Sequence, residues 1–328
     1  MHIMITGAAG MVGRKLVEKL AGTRTLAGAP LERLTLLDVI EPAAPAGFAG
    51  TVQRQAIDLA TPGVAQTLVE SRPEVIIHLA AIVSGEAEMD FEKGYRVNLD
   101  GTRQILEAIR LAGQKDGWCP RFIFASSIGV FGGALPALIE DDYVLTPQTS
   151  YGAQKTMCEL LLADYTRRGF IHGIGIRLPT ICVRPGKPNR AASGFFSGII
   201  REPLTGKEAI LPVGTDVRHW MASPRSAVGF LMHAIELDLA RLGNRPNLTM
   251  PGLSVTVGEQ IAALERVAGH KAVALIRPEP DAMIDHIVRE WPQAFNPARA
   301  LSLGFRAESR FDEIIKVFVE DELGGRVP

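Results

Sequence analysis

Apolar positions in the first half of the chain follow two alternating patterns. Short apolar, β-rich runs predict five strands, at residues 3–5, 34–39, 52–57, 75–79 and 122–124. Between them, apolar residues that recur every three or four positions predict helices at residues 11–20, 64–70, 95–111 and 151–167. Uninterrupted runs are typical of strands covered on both faces, and strands that alternate with helices specify parallel βαβ units. The pattern therefore predicts an α/β fold with a doubly wound parallel sheet.

Proline and glycine become frequent after about residue 180, and the predicted elements become shorter. This part of the pattern predicts helices near residues 226–239, 257–268 and 311–319, and strands near residues 247–250 and 272–276. In the last helix, Phe311, Ile314, Ile315 and Phe318 share one apolar face. We therefore expect a first domain over residues 1–180 and a smaller, irregular C-terminal substrate lobe over residues 181–328, with elements of the two free to interleave.

Length, charge and cysteine content narrow the functions that are open to the protein. A chain of 328 residues indicates about two domains. Its 35 basic and 36 acidic residues give a net charge of −1, which removes the electrostatic case for a nucleic-acid or anionic-membrane partner. Cys119, Cys158 and Cys182 have the spacing of neither a zinc site nor a disulfide framework, so we expect no metal and a reducing compartment. Without a leader segment or an apolar run of about 18 residues, we expect a cytoplasmic protein.

Three glycines lie between the first predicted strand and the first predicted helix. Gly7 allows a tight turn, Gly10 lets the backbone approach a pyrophosphate, and Gly13 lets the helix pack closely on the sheet. The following helix, which begins with Met11 and Val12, offers unpaired N–H groups to phosphates. The spacing is GxxGxxG and is weak evidence alone. Its position between a strand and a helix favours dinucleotide binding over a structural turn.

Acidic residues follow the next two predicted strands. Asp38 ends the second strand, where a carboxylate accepts both ribose hydroxyls and repels a 2′-phosphate. No arginine or lysine follows it immediately, so NAD is favoured over NADP, and a solvated aspartate is the alternative. Asp58 and Leu59 follow the third strand and are expected beside the adenine, unless Asp58 is an ordinary helix N-cap.

A tyrosine and a lysine lie four residues apart in a predicted helix. Tyr151 and Lys155 therefore share one helix face, and the ammonium lowers the pKa of the phenol by stabilising phenolate. Such a tyrosine can take the proton of an alcohol while hydride leaves the same carbon. Ser126 and Ser127 end the fifth strand, at the sheet edge where ligands bind, and a hydroxyl there can orient the substrate oxygen. The alternative is that the two serines only satisfy the backbone.

These motifs, with His78-Leu79-Ala80-Ala81, Val97-Asn98 and Arg177-Leu178-Pro179-Thr180, resemble those of the extended short-chain dehydrogenase/reductase (NAD-dependent epimerase/dehydratase) family over residues 1 to about 185. The resemblance implies a Rossmann-type fold, an NAD cofactor and a catalytic set of Ser127, Tyr151 and Lys155, with Ser126 as the alternative hydroxyl. It also implies that Asn98 supports a proton-relay water. Residues implied to line the cofactor are Leu79, Ala80, Ala81, Pro179 and Thr180.

The resemblance also limits the substrate. Ser127 is followed by Ile128 and Gly129 rather than by an Asp-Glu pair, so dehydration is not expected. The whole chain resembles members that oxidise the 2-hydroxyl of a four-carbon sugar acid. Open alternatives are an NAD-retaining sugar epimerase, a dehydrogenase of a uronic acid or another short hydroxy acid, and a non-catalytic NAD sensor.

A sugar acid needs a partner for its carboxylate, and arginine is the planar bidentate choice. Candidates are Arg184 and Arg218, with Ser84, expected in the loop after the fourth strand, as a further substrate contact. The alternative for each is a solvated or structural side chain. His219 either binds substrate hydroxyls or packs in the core. Relatives often dimerise through the helices predicted at 95–111 and 151–167, so the resemblance implies a homodimer.

Overall fold

The computed structural model describes residues 1–186 and 192–327, which form two compact units. The first contains Met1–Val130, Pro147–Arg177 and Val228–Thr249. The second contains Phe131–Thr146 and the described residues of Leu178–Ala227 and from Met250 onward. Part of the sequence after residue 180 thus belongs to the first unit, because a late strand joins its sheet. The two-domain division at residue 180 stays a prediction.

The strands of the described chain, in order, are β1 (His2–Thr6), β2 (Thr25–Leu26), β3 (Ala29–Pro30), β4 (Arg33–Asp38), β5 (Thr51–Ala56), β6 (Val75–His78), β7 (Arg121–Ser127), β8 (His172–Leu178), β9 (Thr180–Ile181), β10 (Ala209–Leu211), β11 (Arg218–Ala222), β12 (Asn247–Thr249), β13 (Leu253–Thr256) and β14 (Ile276–Pro278).

The α-helices of the same residues are α1 (Met11–Ala21), α2 (Val64–Val69), α3 (Ser84–Met89), α4 (Phe91–Gly94), α5 (Gly101–Asp116), α6 (Ser150–Arg167), α7 (Gly194–Arg201), α8 (Pro224–Glu236), α9 (Val257–Ala268), α10 (His270–Val273), α11 (Ala282–Arg289), α12 (Ala298–Ser302) and α13 (Phe311–Glu322). Shorter helical turns are a π-helical turn at Tyr95–Asp100 and 3₁₀ turns at Ile128–Val130, Pro203–Thr205 and Leu239–Leu242.

Seven of the described strands form the sheet of the first unit, in the order β12-β8-β7-β6-β1-β4-β5. The registered pairs β1–β4, β1–β6, β4–β5, β6–β7 and β8–β12 are all parallel. This order confirms the predicted doubly wound, Rossmann-type sheet. The chain first runs outward from β1 to β5 and then returns to β6 on the other side of β1. The carboxyl ends of β1 and β6 therefore flank the point where such sheets bind ligands.

The sheet core consists of the apolar runs that the sequence pattern singled out. Fully buried members are Ile3, Met4, Ile5, Leu34, Leu36, Leu37, Ile76, Ile77, Phe122 and Ile123. The expectation that these runs are all covered on both faces is wrong for β5. It is the edge strand, and all its residues except the half-buried Val52 are exposed.

Several local predictions differ from the structure. The helix predicted at 95–111 is a π-helical turn followed by α5, and the strand predicted near 272–276 is α10 followed by β14. The apolar pattern missed β8, since Gly173 and Gly175 interrupt it, although β8 lies inside the sheet between β12 and β7.

The second unit is built around helices and a small sheet. Among its described residues, β13, β11 and β9 form a three-stranded sheet, in which β9 and β11 are parallel and β11 and β13 antiparallel. The apolar face expected for the last helix is confirmed, because α13 buries Phe311, Ile314, Ile315 and Phe318. No described helix of either unit is both long and apolar enough to cross a membrane.

Candidate active site

The glycine loop connects β1 to α1 in a conformation that excludes side chains. Gly7 has φ of 76°, and a Cβ there would lie 2.7 Å from the Ala80 nitrogen. A Cβ on Gly13 would lie 2.2 Å from the Gly7 oxygen. Gly10 is the N-cap of α1, and no side chain of the described residues caps this terminus. The first N–H groups of α1, including those of Met11 and Val12, are thus presented to an anion at the loop, as a pyrophosphate site requires.

Asp38 lies directly beside this loop. Its Oδ2 accepts the Ala9 N–H at 2.9 Å, and its Oδ1 accepts the Val39 N–H at 2.7 Å. Each carboxylate oxygen can accept more than one hydrogen bond, so the group keeps capacity for ribose hydroxyls. The loop and the acid together fit an adenine dinucleotide.

Asp58 is not the N-cap of the following helix, because Gly63 occupies that position in α2. The carboxylate of Asp58 instead accepts the Ala60 N–H at 2.9 Å and pairs with Arg96 at 2.6 Å. Its neighbour Leu59 is buried. The helix-cap alternative for Asp58 is therefore wrong, and contact of Asp58 and Leu59 with adenine stays a prediction.

His78 connects the end of β6 to the glycine loop through a directed chain of hydrogen bonds. Thr102 donates its hydroxyl proton to the Asn98 carbonyl at 2.7 Å, so His78 Nε2 is the donor in its 3.0 Å bond to Thr102 Oγ1. His78 Nδ1 then accepts from Thr6 Oγ1 at 2.7 Å, just before the loop. Burial, aided by the charge of Lys155, lowers the pKa of His78 to about 3, so the ring is neutral.

Asn98 lies in the π-helical turn and is almost fully buried. Its Oδ1 accepts the Ile82 N–H at 2.9 Å, and its Nδ2 donates to the Ile82 carbonyl at 3.1 Å and to Gln154 Oε1 at 2.7 Å. Both amide protons are thus used within the protein, and support of a relay water by Asn98 stays a prediction. Nearby, Leu79, Ala80 and Ala81 are half-buried after β6, and Ser84 begins α3 rather than lying in a loop.

The tyrosine–lysine pair lies in the first two turns of α6, and Lys155 is 3% exposed. Lys155 Nζ donates to the Ala125 carbonyl at 2.8 Å and lies 5.8 Å from the centre of the Tyr151 ring. Burial lowers the pKa of Lys155 to about 8, so it carries its charge at neutral pH. A Cβ placed on Gly129 would lie 3.4 Å from Ser127 Oγ and 3.8 Å from the Tyr151 ring. The phenol ring and the Ser127 hydroxyl therefore border the same small space.

The two serines at the end of β7 differ in their partners. Ser126 is 2% exposed and donates to Glu159 Oε1 at 2.6 Å. Ser127 is half-buried, and its oxygen accepts the Gly129 N–H at 3.1 Å. The geometry therefore favours Ser127 over Ser126 as the hydroxyl that faces a ligand.

Two features of this site were missed by sequence reasoning. A Cβ on Gly152 would lie 2.2 Å from the Gly129 oxygen, so the start of α6 approaches the turn after β7 as closely as a glycine allows. Glu159, four residues after Lys155, forms a buried ion pair with Arg177 at 2.8 Å. The spacing of Tyr151, Lys155 and Glu159 on one helix face was the signal that could have found the second feature.

The remaining predicted contacts lie in the second unit. Thr180 Oγ1 and His219 Nε2 are 2.6 Å apart, and the His219 ring stacks on Phe196 with a centroid distance of 5.1 Å. Burial lowers the pKa of His219 to about 4, which favours the packing interpretation. Arg184 Nε donates to the Ile181 carbonyl at 3.0 Å.

Arg218 Nη1 likewise donates to a carbonyl, that of Ser254, at 2.9 Å. Both arginines thus have structural contacts, while contact of Arg184 and Arg218 with substrate, and of the buried Pro179 and of Thr180 with cofactor, stays a prediction. Among the described residues there is no group of three His, Cys, Asp or Glu side chains that could hold a metal ion.

The sheet order and the glycine loop define a dinucleotide-binding protein of the Rossmann type. Residues 3–234 match the model of the NAD dependent epimerase/dehydratase family, and the chain belongs to that family. D-erythronate dehydrogenase of Cupriavidus necator is 48% identical over 98% of this chain and 98% of its own length. The enzyme of the same name from Haemophilus influenzae is 42% identical over 98% of this chain and 100% of its own.

Solved structures have the same fold. One described as a nucleoside-diphosphate-sugar epimerase from Agrobacterium tumefaciens is 63% identical, with a TM-score of 0.98 over 100% of this chain and 96% of its own. A GalE-like L-threonine dehydrogenase from Cupriavidus necator in its holo form, 22% identical, has a TM-score of 0.83 over 98% of this chain and 99% of its own. The predicted family and NAD cofactor are confirmed, and the protein is an NAD-dependent oxidoreductase that acts on an alcohol.

Proposed function

We propose that the protein oxidises the 2-hydroxyl of D-erythronate to give 2-oxo-erythronate. The observation that carries the chemistry is the buried Lys155 ammonium beside the Tyr151 ring, with Ser127 bordering the same space. The substrate is supported by similarity to two D-erythronate dehydrogenases over nearly the full chain.

The residues of the first unit supply the acid–base part of this reaction. The ammonium of Lys155, which is buried, stabilises the phenolate of Tyr151 by Coulomb attraction that water screens little at a buried position. The phenolate takes the proton of the 2-hydroxyl, while the hydroxyl of Ser127 holds the substrate oxygen in place. As C2 loses its hydrogen with the bonding electron pair, the C–O bond becomes a carbonyl. NAD, when bound, would supply the hydride acceptor, so the overall products are the 2-oxo acid, NADH and one proton.

The same geometry supports two of the proposed cofactor contacts. We assign the pyrophosphate to Gly10 and the first turn of α1, the adenosine ribose to Asp38, and the nicotinamide ribose to Lys155. Support for the first two is the uncapped start of α1 and the carboxylate beside the loop. Asp58 and Leu59 are assigned to the adenine.

The other predicted contacts remain part of the proposal. Pro179 and Thr180 are assigned to the carboxamide. Arg184 and Arg218 are assigned to the substrate carboxylate, since a planar guanidinium pairs with it in two parallel hydrogen bonds. Ser84 is assigned to a substrate hydroxyl. These assignments rest on the sequence resemblance.

A second candidate function is an NAD-retaining epimerase of a nucleotide sugar. It is favoured by the 63% identical structure that is described as such an epimerase. The same tyrosine and lysine serve both reactions, because an epimerase oxidises its substrate transiently and then returns the hydride. The two functions differ in net NADH, which only the dehydrogenase releases.

Tyr151→Phe tests the proposed acid–base role. It removes the phenol oxygen and keeps the ring, so we expect kcat with D-erythronate to fall by at least about 100-fold. The dissociation constant for NAD, measured by isothermal titration calorimetry, should stay within a few-fold of wild type. Tyr143→Phe, a tyrosine outside this site, is the matched control and should keep wild-type kcat. Near-normal turnover by the Tyr151 variant would rule out the mechanism.

The quaternary structure and cellular location belong to the same proposal. We assign a homodimer formed through α5 and α6, which is supported by Leu111 and Leu160 being 41% and 64% exposed on these helices. Sedimentation of the wild type and of Leu160→Glu tests it, with loss of the dimer expected for the variant. A cytoplasmic location is supported by the three free cysteines and is tested by cell fractionation.

A further inference from the structure

A buried ion pair joins α6, the helix of the proposed catalytic tyrosine and lysine, to β8 and takes no part in the reaction described above. Glu159 and Arg177 are 1% and 6% exposed. Arg177 Nε is 2.9 Å from Glu159 Oε1, and Arg177 Nη2 is 2.8 Å from Oε2, which is a bidentate arrangement. Burying such a pair contributes little net stability, because desolvation of both charges offsets their attraction. Its geometry therefore points to a role in positioning.

The carboxylate of Glu159 also holds the end of β7. Ser126 donates its hydroxyl to Glu159 Oε1 at 2.6 Å, and Lys155 donates to the carbonyl of the preceding residue, Ala125, at 2.8 Å. Lys155 and Glu159 are one helical turn apart on α6, so α6 forms hydrogen bonds to two consecutive residues of the strand. The next residue along the strand is Ser127.

Arg177 holds the carboxylate of Glu159 that accepts the hydrogen bond from Ser126. It lies on β8, the neighbour of β7 in the sheet order, and its Nη1 is 3.5 Å from Thr249 Oγ1 on β12. Glu159 is thus held from the strand side by Arg177, while its own helix carries Tyr151. The strand end and the tyrosine are therefore fixed to one another through Glu159.

We propose that Glu159 is a positioning residue that keeps Ser127 at the distance from Tyr151 that the reaction requires. It does so through its hydrogen bond with Ser126, and its ion pair with Arg177 holds the carboxylate in place. This inference rests on the proposed function, in which the hydroxyl of Ser127 and the phenolate of Tyr151 contact the same substrate oxygen. An error of about 1 Å in such a pair costs up to about 100-fold in rate.

Ser126→Ala is the most direct test, because it removes the hydrogen bond between Ser126 and Glu159 and leaves the ion pair between Glu159 and Arg177 in place. We expect kcat with D-erythronate to fall between about 10- and 100-fold, with KM for NAD within about twofold of wild type. Ser126→Thr restores a hydroxyl and should recover most of kcat. Ser71→Ala, which removes a hydroxyl bonded to the Leu68 carbonyl, is the control and should behave as wild type.

Amide hydrogen exchange of residues 125–130 gives a readout that does not depend on the substrate. We expect faster exchange there in Ser126→Ala and in Glu159→Gln, and wild-type exchange in Ser126→Thr. Should Glu159→Gln fail to fold, Ser126→Ala carries the test alone.

The inference and the proposed function fail in different ways. Wild-type kcat and wild-type exchange in Ser126→Ala would overturn the positioning role, even if D-erythronate is the substrate. A wild-type protein without activity on D-erythronate would overturn the proposed function. Faster exchange in Ser126→Ala would then still support the conclusion that the hydrogen bond between Ser126 and Glu159 holds the end of β7 in place.

Discussion

The neutral state of His78 has a measurable consequence for stability in acid. The ring accepts a hydrogen bond from Thr6 and donates one to Thr102, and both partners are buried. Protonation would put a second donor against Thr6 and a charge into the core. Burial therefore lowers the pKa of His78 from 6.5 to about 3, and the nearby charge of Lys155 adds to the effect.

The sign and size of the effect follow from proton linkage. Between pH 6.5 and about pH 3 the unfolded chain binds a proton at His78 that the folded chain does not, so stability falls as the pH falls. The shift in pKa corresponds to about 5 kcal/mol in full, of which about 2 kcal/mol is lost between about pH 7 and pH 5.

Urea denaturation of the wild type and of His78→Gln at these two pH values measures this contribution. The glutamine has no charge to gain, so the variant should lose about 2 kcal/mol less of its unfolding free energy between about pH 7 and pH 5 than the wild type. His219, whose pKa is also lowered by burial, contributes equally to both proteins and cancels in the comparison.

The matched control is His172→Gln, which removes an exposed imidazole at the start of β8 and leaves the His78 hydrogen bonds intact. It should keep the wild-type loss of stability between the two pH values. An equal loss in wild type and His78→Gln would refute the reasoning, because it would show that the buried ring carries no protonation penalty.

Three further substitutions test the cofactor loop and the start of α6. Asp38→Ala should raise the dissociation constant for NAD, measured by calorimetry, by about 10-fold or more, since a charged acceptor is lost. The difference between the dissociation constants for NAD and NADP should become smaller. An unchanged constant for NAD would contradict the ribose assignment. Gly13→Ala should abolish detectable NAD binding in the same titration, because its Cβ would lie 2.2 Å from a carbonyl oxygen of the loop. Gly152→Ala should lower kcat about 10-fold through the contact at 2.2 Å with Gly129, whereas Gly198→Ala, whose Cβ has room, should not.

The parts of the fold that could be predicted from sequence are those with a local signal. The apolar runs of the sheet and the glycine spacing each involve residues that lie only a few positions apart in the chain. The family was predicted from the resemblance of several short motifs in order along the chain, among them the glycine loop, Ser126-Ser127 and the pair Tyr151–Lys155.

The parts that could not be predicted depend on contacts between distant residues. β8 has glycines where an apolar run was sought, and the sheet identifies it only through its neighbours β7 and β12. The preference for Ser127 over Ser126 depends on Glu159, a residue on another element that accepts the hydroxyl proton of Ser126. By contrast, the exposure of β5 agrees both with its edge position and with its own polar residues, Gln53, Arg54 and Gln55.

The central claim is that this protein releases NADH as it oxidises a sugar acid. The most direct test is the absorbance of NADH when the purified protein is given D-erythronate with NAD, and in parallel with NADP. We expect steady NADH formation, little signal with NADP, and weaker rates with D-threonate and with short uronic acids. Absence of NADH with every sugar acid, together with release of bound nucleotide on denaturation and epimerisation of a nucleotide sugar, would contradict the claim.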